Sequence, residues 1–371
     1  MVAGTHPDRP REAAAHQGKH SGRFGGFDTL RLLAATSVIF SHCFAIVEGN
    51  EAREPFVRLL GPGNILGAYG VFTFFILSGF LITRSFVNRK STLRYFASRS
   101  LRIFPALLAC LLLLTFVLGP ALTTMPLAQY FSARHTWKFL VSGALLFNRG
   151  DSALPGVVFS TNDYGYLING CLWTLGSEFV CYLLVALLGW LRMLRPSVMA
   201  ALLALGIWSR WTGRGDSLGA LGEYFAAGAL TFFIVERGWL RQGLLWACAL
   251  ALLAGGMFHR LDVSFGVFGA PLLISFAIRA PRWLGQGARY GDLSYGMYLY
   301  GWPIQQVWTR ALAGRAEWWS VFLLSLPLAM LFGFVSWHVL EKPALAAAGP
   351  LVERTRTIFA RRYAIRRREA D

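Results

Sequence analysis

The sequence predicts an all-α fold, a polytopic membrane helix bundle of about ten transmembrane helices (N-in/C-in). Of the 371 residues, 55% are hydrophobic and only 15% are charged, and the mean hydropathy is +0.47. A soluble domain carries about 25% charged residues. Apolar segments, most of them close to the ~20 residues that cross a bilayer, recur from residue 27 onward. The composition therefore excludes an ordinary soluble protein.

The distribution of basic residues sets the predicted orientation. The formal net charge is +17, and the lysines and arginines cluster between the apolar segments, as cytoplasmic loops do. With the N-terminus inside, the cytoplasmic segments hold roughly 25 of them and the outer segments roughly 10. Membrane lipids and the positive-inside pattern account for this charge, so no nucleic acid is expected as a partner.

Each predicted helix is an apolar segment whose ends are marked by charged residues, glycine or proline. The first follows Gly26, and the third ends at Gly119 and Pro120. The predicted helices cover about 27–47, 65–84, 103–119, 167–190, 197–209, 218–235, 240–257, 263–279, 293–310 and 318–339. Between the third and fourth, about 121–165, the apolar piece 139–147 is too short to span and is predicted to be re-entrant or interfacial.

The two chain ends are predicted to lie outside the bundle. Residues 1–26 lack the apolar core of a signal peptide and are expected to form a disordered cytoplasmic tail. Residues 344–371 form a basic cytoplasmic tail that is expected to contact anionic lipid. The cysteines show no CxxC or Cys/His metal spacing, so no metal site is predicted; they are interpreted as small apolar residues of the spans: Cys43, Cys110, Cys171, Cys181 and Cys248.

The first predicted helix carries three ionisable residues, Asp28, Arg31 and His42. Arg31 and His42 are eleven positions apart, which places them on one helix face, roughly 16 Å apart along the axis. Asp28 lies one turn before Arg31, within pairing reach. Ionisable groups inside a span are costly and usually mark function. His42 is a candidate general base; the alternative is an interhelical hydrogen bond without chemistry.

Two further features are candidates for chemistry. Glu178 on the fourth helix is predicted at a depth comparable to that of His42, where a carboxylate can orient an imidazole; the alternative is structural pairing. Arg99 and Arg102 lie one turn apart at the cytoplasmic mouth of the third helix, where they can form a fork for phosphate. Ordinary positive-inside flanking is the alternative for that pair.

Other polar residues are interpreted structurally. Ser78 lies between glycines in GVFTFFILSGFLI and lacks a nucleophile elbow, so it is assigned to helix packing. Asp292 and Ser294 precede the ninth helix and are interpreted as caps.

The order of the motifs is more specific than any one of them. FDTLRLLAATSVIFSH, GVFTFFILSGFLI, RYFASRSLRIFPA, LWTLGSEFVCYLL, GDLSYGMYLYGWPI and VSWHVLEKP follow one another along the chain. This series resembles acyltransferase family 3, integral-membrane enzymes that acylate extracytoplasmic glycans and some small molecules. The resemblance implies a membrane acyltransferase domain over 27–343, of the stand-alone type without an SGNH hydrolase-like domain.

The resemblance also implies roles for individual residues. Arg31 and His42 match the essential Arg and His of the first helix, and Arg99 and Arg102 match the Arg-x-x-Arg pair. Positions matching other family motifs are expected to shape the structure or the substrate channel: Ser78, Trp173, Tyr295 and Glu341, together with Asp28. In one departure, Gly301 stands where family members often have a histidine.

The implied reaction is transfer of an acyl group, acetyl above all, to a hydroxyl of an exopolysaccharide, O-antigen or lipid-linked oligosaccharide across the bacterial inner membrane. Acetyl-CoA is the expected co-substrate, with no permanently bound cofactor. In this interpretation Arg31, Arg99 and Arg102 hold the CoA phosphates, His42 is the base, and Glu178 orients it. The alternative is a transporter or flippase of a glycan or lipid-linked sugar, for which internal repeats are expected.

Overall fold

The computed structural model describes residues 25–88, 91–147, 152–213, 217–281, 283–284, 290–312 and 314–368. Regular structure in these residues is helical, apart from one isolated bridge between Ala153 and Leu167. In chain order the helices are α1 Gly25–Glu48, α2 Pro55–Leu60, α3 Leu66–Asn88, α4 Thr92–Leu122, α5 Leu127–Ser132, α6 Arg134–Ala144, α7 Trp173–Trp190, α8 Pro196–Trp211, α9 Ser217–Glu236, α10 Gln242–Met257, α11 Leu261–Arg279, α12 Ser294–Ala311, α13 Trp318–Ser336 and α14 Lys342–Arg368. A π-helical turn, Trp337–Glu341, joins the last two.

The predicted all-helical membrane architecture is confirmed. Within the described residues, seven helices are long and apolar enough to cross a membrane: α1, α3, α4, α7, α9, α11 and α13 with its continuation. The other three predicted spans are also helical, as α8, α10 and α12. Helix α12 is rich in Tyr and Gln, and most of it is buried. Such a helix tolerates polar side chains because neighbouring helices, rather than lipid, surround it.

Small residues set the spacing of the central helices. A Cβ at Gly79 of α3 would overlap the Phe225 carbonyl of α9, and a Cβ at Gly228 would overlap the Ile76 carbonyl. The two backbones therefore touch, which is how glycine promotes helix association in membranes. The packing role predicted for the GVFTFFILSGFLI motif is thus confirmed for its second glycine.

Helices α1 and α3 run antiparallel in a fixed register. A Cβ at Gly67 would lie 2.9 Å from the Ser41 Cβ, and Gly70 packs against Ser37. Continuing this register places Ser78 level with the residues next to Arg31. We call the end where α1 and α4 begin and α3 finishes the Arg31 end of the bundle, and the opposite end the His42 end.

The fourth predicted span begins later than its hydropathy indicates. Helix α7 starts at Trp173 rather than at residue 167. The Asn169 side chain accepts a hydrogen bond from the Cys171 amide, so the chain turns there instead of entering a helix. In the preceding segment, a helix forms at Arg134–Ala144 instead of 139–147, and it packs beside α4 with Gly143 close to the Leu111 side chain.

The predicted tails differ in what the structure describes. Residues 1–24, nearly all of the predicted N-terminal tail, lie outside the described residues. Helix α14 covers Lys342–Arg368, which includes most of the predicted basic tail. The last span therefore continues as helix beyond the membrane-length segment.

Candidate functional site

One cavity of about 540 Å³ lies between α1, α3, α4, α7 and the start of α12, toward the Arg31 end. Arg84 and Asn88, near the end of α3, contribute to its wall, as do Ser98 and Arg99 near the beginning of α4. Four arginines and three carboxylates line it: Arg31, Arg84, Arg99, Arg102, Asp28, Glu178 and Asp292. A cavity with this concentration of charge inside a membrane bundle marks a functional site.

An ion-pair network closes one side of the cavity. Asp292 accepts from Arg31 Nη1 at 3.0 Å and also from Arg102, which in turn binds Glu341 at 2.9 Å. Both carboxylates are almost completely buried, at 4% and 0% exposure. Ser294 and Ser336 donate further hydrogen bonds to Asp292 and Glu341, respectively. The network therefore joins α1, α4 and the segments before α12 and α14.

Asp28 is within pairing reach of Arg31 on α1, but Arg31 forms its ion pair with another carboxylate. Arg31 pairs with Asp292, 261 positions away in the chain, and not with Asp28, which lines the same cavity. Asp292 does accept from the Ser294 amide as a cap would, but it also binds two guanidinium groups. Burial alone raises a carboxyl pKa, yet Arg102 and Arg31 outweigh it and lower the pKa of Asp292 below its usual range.

Arg99 and Arg102 both line the cavity, as the one-turn spacing predicts. The Arg102 guanidinium lies over the Tyr295 ring at 5.7 Å and the Trp337 ring at 5.4 Å, in addition to its two carboxylates. Its position is therefore fixed from several directions. Tyr295 lines the cavity and donates its hydroxyl to the Ile103 carbonyl at 2.9 Å.

Glu178 also lines the cavity, but it does not lie at the depth of His42. Its carboxylate accepts from Ser78 Oγ at 2.7 Å and from the Tyr182 hydroxyl. Since Ser78 is level with the residues next to Arg31, Glu178 lies in the same half of the bundle. The predicted pairing of Glu178 with His42 is therefore absent from the described contacts.

His42 lies toward the other end of α1, outside the residues that line the cavity. Its ring meets the edge of Trp302 at 4.7 Å between centroids. Its Nδ1 lies 3.9 Å from the Cys171 Sγ. The imidazole is thus set against an aromatic ring and a thiol, in a mostly apolar setting.

A short bridge links the cavity to His42. Thr174 and Tyr298 line the cavity, and both of their hydroxyls reach the Cys171 carbonyl, at 3.3 and 3.1 Å. The Cys171 thiol faces His42. Sequence reasoning assigned Cys171 only to packing, although its place two residues before the Trp173 motif pointed to this region.

Two remaining sequence candidates lie outside the cavity lining. Trp173 begins α7 and is 42% exposed. Gly301 faces α1, where an added Cβ would lie 2.9 Å from Ile39 Cγ1. Ile39 is one turn before His42, so Gly301 lets α12 approach the part of α1 that carries the histidine. Within the described ranges, no group of three His, Cys, Asp or Glu side chains is arranged to hold a metal ion.

Comparison with known proteins gives consistent results. The model of the family described as "Acyltransferase domain" matches residues 24–338. The chain is 28% identical to an O-acetyl transferase of Shigella phage Sf6, over 87% of this chain and 97% of that protein. It is also 28% identical to Nodulation protein 10 of Rhizobium leguminosarum bv. viciae, over 90% of this chain and 96% of that protein. No solved structure matches.

Proposed function

This chain belongs to the acyltransferase family whose model matches residues 24–338, and from that membership we propose that it moves an acyl group, acetyl above all, from cytoplasmic acyl-CoA to a hydroxyl of an extracytoplasmic or lipid-linked glycan. The observation that carries the proposal is the arginine-lined cavity, whose wall at Thr174 and Tyr298 is linked through Cys171 to His42. Donor binding and acceptor chemistry then take place at opposite ends of α1.

The donor enters from the Arg31 end. Acyl-CoA carries several phosphate charges, and guanidinium groups are well suited to phosphate because they offer several N–H donors in one plane. Arg99 makes the first contacts near the beginning of α4. Arg31 and Arg102, held by Asp292 and Glu341, retain further N–H donors toward the cavity. These contacts position the donor and do no chemistry themselves.

The thioester arm then extends along the cavity wall. Glu178 holds the hydroxyls of Ser78 and Tyr182 on this wall, so we assign it to the path of the arm instead of to the imidazole. His42 accepts the proton of the acceptor hydroxyl as that oxygen attacks the acyl carbonyl. In this orientation the Arg31 end faces the cytoplasm of a bacterium and the His42 end faces outward.

The test is transfer of radiolabelled acetyl from acetyl-CoA into acceptor glycan by purified protein. His42→Ala is expected to lower transfer by at least about 100-fold, the lower range for a general base. His259→Ala is the matched control because His259 is exposed, contacts the Leu60 carbonyl through Nδ1, and lies outside the cavity lining. Undiminished transfer by a correctly folded His42→Ala variant would reject the base assignment.

The inner site has its own test. The Arg99→Ala variant is expected to require a higher acetyl-CoA concentration for half-maximal rate, since one phosphate contact is lost, while the maximal rate changes less. An unchanged concentration dependence would reject the phosphate role. Uptake of labelled glycan into sealed vesicles, without acetylation, would instead support transport.

A further inference from the structure

The thiol of Cys171 is the hydrogen-bonding partner of the His42 ring among the described residues. Its Sγ lies 3.9 Å from Nδ1, and the residue is only 2% exposed. The other cysteines have different surroundings. The Cys43 thiol donates to the Ile39 carbonyl, and the Cys110 thiol faces the Leu299 carbonyl. A thiol beside an imidazole is the arrangement of a nucleophile and its base.

The backbone of Cys171 is held from both sides. Its amide donates to Asn169 Oδ1 at 2.9 Å, and its carbonyl accepts from Tyr298 at 3.1 Å and from Thr174 at 3.3 Å. Asn169 is itself fixed, since its side-chain amide donates to the Leu299 carbonyl at 2.9 Å. The thiol is therefore presented from a rigid turn, as reactive groups need to be.

The histidine is held just as firmly. Gln305 is fully buried, and its Nε2 donates to the Ile39 carbonyl at 2.6 Å and contacts Cys43 Sγ at 2.8 Å. These contacts clamp the turn of α1 that carries His42. Among the described contacts, no carboxylate binds the imidazole of His42. Its Nδ1 instead faces the Cys171 sulfur. A buried thiol is neutral and needs a base to become a nucleophile.

Cys171 also lies between the two ends of the reaction path. Thr174 and Tyr298 belong to the cavity wall and bind the Cys171 carbonyl directly. The cysteine is thus one hydrogen bond beyond the donor cavity, and its thiol faces the histidine assigned to the acceptor side. Cys171 therefore lies between the cavity wall and His42.

We infer that Cys171 carries the acyl group as a thioester between donor and acceptor, an inference that rests on the proposed acyl transfer. Its Sγ attacks the carbonyl of the donor thioester while His42 Nδ1 takes the thiol proton. The carbon–sulfur bond to CoA breaks, and the CoA thiolate takes that proton and leaves as the free thiol. The enzyme then holds S-acetyl-Cys171.

The second half-reaction restores the enzyme. The acceptor hydroxyl oxygen attacks the S-acetyl carbonyl, and His42 takes the hydroxyl proton. The bond between Sγ and the acyl carbon breaks, and the Cys171 thiolate receives the proton from His42. The products are the O-acetylated acceptor and the free thiol, and no oxidant or reductant is consumed. The first step exchanges one thioester for another, so little free energy is lost before the acceptor arrives.

The experiment uses purified full-length protein, radiolabelled acetyl-CoA and no acceptor. After denaturation, the wild-type protein is expected to retain label that neutral hydroxylamine removes, as it does from thioesters. Cys171→Ala is expected to carry no such label and to lose at least about 1,000-fold in transfer, as nucleophile removals do. Cys248→Ala, which removes another buried thiol with 3% exposure, is expected to retain both label and transfer.

The outcomes separate the inference from the proposed function. A folded Cys171→Ala variant that transfers acetyl at the wild-type rate overturns the relay and leaves the acyltransferase intact. If Cys171→Ala does not fold, peptide mass spectrometry of the labelled wild-type protein decides: acetyl on Cys171 supports the relay, and transfer without acetyl on Cys171 overturns it. A wild-type protein that neither transfers acetyl nor becomes labelled refutes both.

Discussion

Replacing Asp292 by asparagine removes the negative charge that pairs with Arg31 of α1 and Arg102 of α4. Asp292 is 4% exposed and pairs with Arg31 and Arg102, which are 20% and 17% exposed. The amide keeps the shape of the side chain and can still accept from Ser294. It leaves Arg31 without its carboxylate, while Arg102 retains Glu341 at 2.9 Å. The variant therefore tests the charge pairing with little change in packing.

The expected cost follows from the burial of the pair. Breaking a buried ion pair from one side costs about 3–5 kcal/mol because the remaining charge is left uncompensated. We expect the lower figure, about 3 kcal/mol, since Arg102 keeps one partner and both arginines are partly exposed. At about 2 °C per kcal/mol for a large domain, the midpoint of thermal unfolding falls by about 6 °C.

The assay is the temperature at which half of the detergent-solubilised protein loses its monodisperse peak after heating. Glu236→Gln is the matched control because Glu236 is exposed at the end of α9 and has no ion pair among the described residues. The double variant Arg31→Met with Asp292→Asn should be more stable than Asp292→Asn alone, since it no longer buries an unpaired cation. A midpoint for Asp292→Asn equal to that of Glu236→Gln would refute the reasoning.

Two further predictions concern the close helix contacts. Gly79→Val should abolish monodisperse expression because its side chain would overlap the Phe225 backbone, whereas Gly222→Ala, with no atom within 4 Å of an added Cβ, should express normally; equal yields would show that α3 and α9 do not cross so closely. Gly301→His should lower the thermal midpoint because Ile39 occupies the space of an added Cβ. Removing part of that obstruction with Ile39→Ala should recover stability in the double variant, and additive losses would contradict this packing.

Most helices of the bundle could be predicted from the sequence because a membrane-spanning helix requires a long segment of high hydropathy. Arg31 and His42 were correctly placed on one helix because both fall within a single apolar segment of spanning length. The ion-pair partner of Arg31 could not be predicted in this way, because Asp28 is its neighbour in the helix while Asp292 comes from a distant segment. Sequence spacing identifies neighbours within one helix. It does not show which carboxylates from distant segments pack against that helix.

The position of Glu178 shows a second limit. Hydropathy places the start of α7 at about residue 167, but the Asn169 side chain turns the chain and delays the helix to Trp173. In the structure Glu178 binds Ser78, and Cys171 lies opposite His42. An apolar window averages over such a turn, so the residue facing the histidine became visible only in three dimensions.

In the proposed reaction, the donor binds at the Arg31 end and the acyl group leaves at the His42 end. Sealed proteoliposomes test it most directly, with the accessibility of a protease-cleavable N-terminal tag reporting the orientation, because α1 begins at the Arg31 end. Acetyl-CoA is supplied on one side and acceptor glycan on the other. Acetylated glycan is expected only when acetyl-CoA is on the side of the Arg31 end, and product formed only with the donor on the opposite side would contradict this direction of transfer.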